Sequence, residues 1–182
     1  MITYPHTIDN GHGEQLTFLG RIVKDNIECL EVENSVAPGC GPPMHVHFRQ
    51  TESITVTEGR MAAQLKGKEP VYLSPGEYIS FPPGVMHRFW NAGDTMLRCK
   101  GVVWPPDNLE YFLTEIFRST KANGGRPSPF DAAYLLNRYK DEFDMELPAP
   151  VKKVVFPVLR FVGRTFGIHK KFRQQSVGHM PL

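Results

Sequence analysis

From about Thr17 to Trp104 apolar and polar residues alternate in short runs, broken every several positions by Gly, Pro, Asn or Asp. Alternation with a period of two puts successive side chains on opposite faces of a strand, so many short runs of this kind predict a β-sandwich or barrel. The runs are Gln15 to Val23, Ile27 to Val36, Ser53 to Thr57, Arg60 to Lys66, Pro70 to Leu73, Glu77 to Phe81, His87 to Trp90 and Met96 to Trp104. Ala37-Pro38-Gly39, Glu58-Gly59, Ser74-Pro75-Gly76, Pro82-Pro83-Gly84 and Asn91-Ala92-Gly93-Asp94 read as the turns between them.

After Pro105-Pro106 the period lengthens. Leu109, Phe112, Leu113, Ile116 and Phe117 recur at helical spacing behind Asp107, an expected N-cap with Glu110 three residues on, and Gly124-Gly125 closes the segment. Ser128-Pro129 opens a second helix that runs into Ala132 to Phe143, with proline at the first helical position. In the third segment, Val151 to Phe166, a stripe of Val151, Val154, Val155, Val158, Leu159 and Val162 leaves Lys152, Lys153, Arg160 and Arg164 largely off it, and Pro157 interrupts or kinks the helix. The expected architecture is mainly β: a barrel over residues 1–104, then two or three C-terminal helices over residues 105–182, packed on the barrel or on a dimer partner.

Charge refines this picture. The chain of 182 residues has a formal net charge of +2, too little to imply a polyanionic partner, and no nucleic-acid partner is expected. The charge is uneven: residues 147–182 carry seven Lys/Arg and no Asp/Glu, against 14 Lys/Arg and 19 Asp/Glu in residues 1–146. An anionic membrane surface is thus a possible partner for the basic amphipathic tail, although burial of its stripe against the barrel or a dimer partner is the preferred expectation. Cys29, Cys40 and Cys99 are an odd number without CxxC spacing and fit a reducing compartment. Met1 to Gln15 shows no basic start followed by an apolar run, and no stretch of ~18 apolar residues spans a bilayer, so the expected setting is cytoplasmic.

The candidate chemistry lies in four residues. His45 and His47 flank one residue, so in an extended segment both imidazoles share a face; Glu52 follows five residues later and His87 comes from a separate strand. Three imidazoles and a carboxylate suit one divalent transition metal, Fe, Mn, Ni, Cu or Zn, with coordination positions left open for ligands. Ordinary solvent-facing strand histidines are the competing reading for an HxH alone.

The surrounding pattern decides between them. Gly39, five residues, His45-Val46-His47, four residues, Glu52, six residues and Gly59 are followed, 16 residues later, by a second pattern: Gly76, five residues, Pro82-Pro83-Gly84, two residues, His87, three residues and Asn91. In these two motifs the sequence resembles the cupins, specifically a single-domain conserved-barrel cupin, over about residues 15–104. The resemblance implies a double-stranded β-helix, or jelly roll. It also implies a metal-ligand role for His45, His47, Glu52 and His87, a homodimer, and a structural rather than catalytic Asn91.

Strand parity adds pocket candidates. Phe89 shares the face of His87, Met61, Ala63 and Leu65 share one face of their run, and Leu97, Cys99, Gly101 and Val103 share another. Phe89, Leu65, Met61 and Cys99 are the expected pocket residues, giving an apolar cavity poor in acids and bases. Arg49 and Gln50 are expected in a solvated loop, Cys40 near the mouth or in a turn, and His6, His12, His169 and His179 at the surface. The expected function is a metal-dependent, dioxygenase-like enzyme on a small organic substrate, with Glu52 also a candidate catalytic base. The alternatives are a non-catalytic metal- or ligand-binding sensor and a non-redox isomerase or decarboxylase.

Overall fold

The computed structural model describes residues 3–172. Among the described residues eleven strands form two antiparallel sheets. One sheet has the order β1 (His6–Asp9), β2 (Glu14–Lys24), β3 (Ile27–Val36), β10 (Leu97–Trp104), β5 (Thr51–Glu58), β8 (Tyr78–Phe81). The other has the order β11 (Phe143–Met145), β4 (His45–His47), β9 (His87–Asn91), β6 (Met61–Leu65), β7 (Val71–Leu73). β10 returns between β3 and β5 after β4, β6, β7 and β9 of the other sheet have been laid down, the crossing-over that makes a jelly roll. The alternating runs become these strands; β1 and β11 carry too few residues to stand out in the sequence.

Register explains the core. Leu30, Val32 and Val36 on β3 pair with Val103, Gly101 and Leu97 on β10, and Val103 and Gly101 pair in turn with Glu52 and Ile54 on β5, so one face of the large sheet is mostly apolar, with Glu52 and Asn34 among its polar positions. The small sheet covers only part of that face. There Val36, Ile54, Val56, Leu97 and Cys99 pack with Met61, Ala63, Leu73 and Phe89 of the facing strands. The remainder, Phe18, Leu30, Val32 and Val103, is covered by α1 (Leu109–Ala122) and α2 (Pro129–Arg138) through Leu109, Phe112, Leu135 and Leu136. Helices and barrel strands therefore share one apolar cluster, and we propose residues 105–182 as an extension of the barrel unit 1–104 rather than a separate body.

Several helix details differ from the pattern. Asp107 is not the N-cap of α1: it has a φ of +40°, its carboxylate lies 3.2 Å from Arg49 Nε, and Asn108 precedes the helix without a side-chain cap. α2 ends at Arg138 rather than Phe143, because the chain turns through Tyr139–Glu142 to let Phe143–Met145 pair with β4. Pro157 is accommodated by a wide turn: Val151–Val155 form a π-helical turn in which the Phe156 amide donates to the Val151 carbonyl, and α3 (Phe156–Thr165) follows. A short 3-10 turn, Ile168–Phe172, folds back onto α2; His169, expected at the surface, is buried there beside Tyr134. Arg173 and His179 lie outside the described residues.

One end of the barrel is closed by Asn91. Its amide donates to the carbonyls of Val36 (2.8 Å) and Thr95 (2.7 Å), while its Oδ1 accepts from the Gly93 amide at 2.9 Å. Nearby, a Cβ on Gly41 would collide with the Phe89 carbonyl and lie 2.7 Å from Trp90 Cα, so only glycine permits this approach to β9. The Cys40 carbonyl accepts from the Asn91 amide at 2.9 Å, which places Cys40 at this closed end, four residues along β9 from His87. Replacing Asn91 with Ala removes the donor to the buried Val36 carbonyl and the partly buried Thr95 carbonyl and should lower unfolding free energy by about 1–3 kcal/mol in urea titration. Metal stoichiometry should not change, because the four donors lie at the other end.

Candidate metal centre

The four candidate donors come together between the sheets. β4 supplies His45 and His47, β9 supplies His87 and β5 of the facing sheet supplies Glu52, and one donor atom from each lies within 4.8 Å of all the others. Alternation along β4 turns both imidazoles inward, and the direct pairing of His45 with His87 brings the third ring alongside. Glu52 sits opposite Val103 and Phe81 in the large sheet, on its mostly apolar inner face.

Two rings are oriented through their outer nitrogens. His45 Nδ1–H donates to the Pro43 carbonyl and His87 Nδ1–H to the Val85 carbonyl, both at 2.8 Å. A carbonyl only accepts, so in the neutral rings the lone pair is on Nε2, facing the cluster. The inner contacts are short: His45 Nε2 to His47 Nε2 is 3.1 Å, His87 Nε2 to Glu52 Oε2 is 3.0 Å and His47 Nε2 to Glu52 Oε2 is 3.6 Å. Lone pairs and a carboxylate so placed repel unless a proton or a cation stands between them. Donors about 2.1 Å from one ion lie about 3 Å apart at adjacent positions, so the cluster fits a single transition-metal ion.

Electrostatics favours that same state. Burial, together with the neighbouring His47 and His87, pushes His45 down to about 3 against the opposing pull of Glu52. Burial also lowers His47, and Glu52 only partly offsets it. For Glu52 burial acts upward, but the close approach of His87 Nε2 and the three neighbouring histidines outweigh it and hold the carboxyl at about 2. Near neutral pH the cluster therefore presents a carboxylate with His45 and His47 uncharged, the donor forms a metal needs.

The surroundings are aromatic. Phe81 stacks on His87, with ring centroids 3.9 Å apart and planes at 8°, and Phe143 meets His47 edge-on at 5.5 Å. Neither contact is visible in the sequence pattern; Phe143 reads there as the end of a helix. Of the expected pocket residues, Phe89, Met61 and Cys99 are buried in the apolar cluster below the donors. Leu65 pairs with His87 and is 38% exposed, so it borders the open end, whereas Met61 pairs with Asn91, four residues or about 13 Å further down.

A buried carboxylate outside the cluster holds the loop between the ligands. Glu142 accepts from the Asn108 amide at 3.1 Å, from Asn108 Nδ2 at 2.6 Å and from Gln50 Nε2 at 3.2 Å, while its own carbonyl accepts from the Phe48 amide at 2.8 Å. Gln50 is thus fully buried rather than solvated, and Arg49 is turned to Asp107. Residues 48–50, between His47 and Glu52, are fixed by a residue from the C-terminal extension.

The donors set between the two sheets of a jelly-roll barrel define a class: a β-barrel protein with a three-histidine, one-carboxylate cluster. Residues 33–104 match the sequence model of the Cupin domain. The chain is similar to "Epoxidase atD" of Aspergillus terreus, 30% identical over 116 residues, which cover 63% of this chain and 32% of that protein. It is also similar to "Probable oxidoreductase virH" of Hypocrea virens, 30% identical over 78 residues, covering 42% of this chain and 36% of that one. The match thus spans about a third of the length of each of these two relatives. Among solved structures, KdgF from Halomonas sp. superposes with a TM-score of 0.48 at 21% identity, over 58% of this chain and 92% of that one. An RmlC-like cupin from Shewanella frigidimarina gives 0.47 at 24% identity, over 56% and 85%.

Because Asn108 and Glu142 are hydrogen-bonded through both backbone and side chain, their contributions should not add. Glu142→Ala should cost about 1–3 kcal/mol in chemical denaturation, and a double-mutant cycle with Asn108→Ala should give a coupling above about 0.5 kcal/mol. Additive losses would show that the two side chains stabilise the loop independently.

Proposed function

We propose that this chain is a metal-dependent enzyme of dioxygenase-like type that acts on a small organic substrate at the open end of the barrel. The carrying observation is the convergence of three imidazole Nε2 atoms and one carboxylate oxygen in contacts as short as 3.0 Å. His45, His47, Glu52 and His87 would hold one divalent transition metal, Fe, Mn, Ni, Cu or Zn. When bound, such an ion supplies Lewis acidity and, for a redox-active metal, one-electron chemistry toward dioxygen.

The chain's own residues set what reaches the site. Buried Phe81 and Phe143 pack against the His87 and His47 rings and keep water from them, and the partly exposed Leu65 opposite His87 adds an apolar surface suited to an organic ligand. Proton-transfer reactions need a second acid or base within reach of the substrate. Of the carboxylates on the segment beside β4, Glu142 is committed to Asn108 and Gln50, and Asp144 to Lys152. That shortage favours oxidative chemistry over isomerisation or decarboxylation. Glu52 Oε2 is shared between His87 and His47, which favours its ligand role over that of a catalytic base. The names of the two fungal relatives, an epoxidase and a probable oxidoreductase, point the same way. The proposal includes a homodimer and a cytoplasmic setting; Cys29, Cys40 and Cys99 are free, and no helix among the described residues is long and apolar enough to cross a membrane.

Dioxygen uptake tests the reaction type. Protein reconstituted in turn with each of the five metals, and offered a panel of enols and phenols, should consume dioxygen with one combination, at a rate lowered more than about a hundredfold in His45→Ala/His87→Ala. Saturable binding of a panel compound that is recovered unchanged, with no uptake, would replace the enzyme by a ligand-binding module.

A further inference from the structure

Independently of the barrel site, the C-terminal segment carries a surface that the fold does not use. One side of the π-turn and α3 is fixed to the body: Lys152 Nζ lies 2.5 Å from Asp144 of β11, Phe156 packs on the helix cluster, and Gly163 leaves room for the buried ring of His169. Another side faces outward. Val154, Val158 and Phe161 follow at i, i+4 and i+7, a single ridge, and are 60%, 55% and 74% exposed; Val155 and Phe166 extend it, the latter 77% exposed. Among the described residues no element packs over this ridge. Half of the stripe, Val154, Val155 and Val158, is thus left uncovered by this chain, because the helix attaches by its Lys152–Phe156–Gly163 side.

The charges beside the ridge select what could cover it. Lys153 and Arg164 are exposed and lie next to it on the helix circumference, and Lys170 is exposed in the turn that follows. The sequence from 147 to 182 has seven cations and no carboxylate, whereas residues 1–146 have an excess of acids. A symmetric contact between two copies would bring one cationic ridge against another, which like-charge repulsion opposes. A bilayer with anionic headgroups satisfies both halves of the surface: the valines and phenylalanines enter the headgroup–acyl boundary while Lys153, Arg164 and Lys170 remain among phosphates. We propose that Val154, Val158, Phe161 and Phe166, flanked by these cations, dock this chain reversibly on an anionic lipid surface.

Co-sedimentation of the full chain with phosphatidylcholine vesicles, with and without about one-third phosphatidylglycerol, tests this. The chain should pellet with the anionic vesicles only, and release as salt is raised. Val158→Glu/Phe161→Glu and Lys153→Glu/Arg164→Glu should each weaken binding by at least about tenfold with an unchanged unfolding midpoint. If the first pair unfolds the protein, the second decides, since both of its side chains are exposed. Three results would overturn the proposal: no binding to anionic vesicles, equal binding by the parent and the charge variant, or a parent dimer that Phe161→Glu converts to monomer without any vesicle binding. The last would assign the ridge to a second copy.

Discussion

The structure depends on one electrostatic constraint: three imidazole nitrogens and a carboxylate oxygen are held within 4.8 Å of one another between the two sheets of a mostly apolar barrel. Nothing in the apolar packing requires them there. Taking a carboxylate and three polar rings out of water is unfavourable unless each finds a partner, and two of the rings already use their outer nitrogens on the carbonyls of Pro43 and Val85. The inner faces are left as a converging set of lone pairs and one negative charge. A cation would remove that conflict, and the same four groups would then tie the two sheets together, since Glu52 belongs to one and the histidines to the other.

Much of the remaining fold fixes these four positions. Phe81 lies against one face of His87, Phe143 meets His47 at its edge, and β11 pairs residue for residue with the strand that bears His45 and His47. Glu142 clamps the loop that leads to Glu52. The C-terminal extension is therefore more than a cover for the exposed half of the large sheet: it contributes an edge strand and a buried carboxylate to the support of the site. At the other end Asn91 and the close approach of Gly41 to β9 close the barrel, so structural and chemical tasks are divided between its ends.

What could be read from the sequence follows from how local each cause is. Period-two alternation is a property of a few adjacent residues, so β2, β3, β5, β6 and β10 were legible, and the spacing of Gly, Pro, His and Glu in two motifs carried the fold and the four donors together. The helix stripe of Leu109, Phe112, Leu113, Ile116 and Phe117 was legible for the same reason, and all five pack on the shared cluster. β11 was not: three residues have no periodicity, and only their pairing with β4 makes them a strand. Gln50 and Glu142 could not be linked across 92 positions by any local rule. Asp107 looked like a cap, but Arg49, distant in sequence, holds its carboxylate and the chain takes a left-handed turn there. The exposed ridge of α3 is not legible, because a stripe shows which residues are apolar, not which side of the helix the body will use.

The central claim is that the four-donor cluster is a metal centre, and elemental analysis of the untagged protein, purified without chelator, tests it most directly. The account predicts close to one Fe, Mn, Ni, Cu or Zn per chain, lost in His45→Ala/His87→Ala while the fold, read by circular dichroism, is kept. A protein that carries none of these metals and takes none up on reconstitution would contradict it.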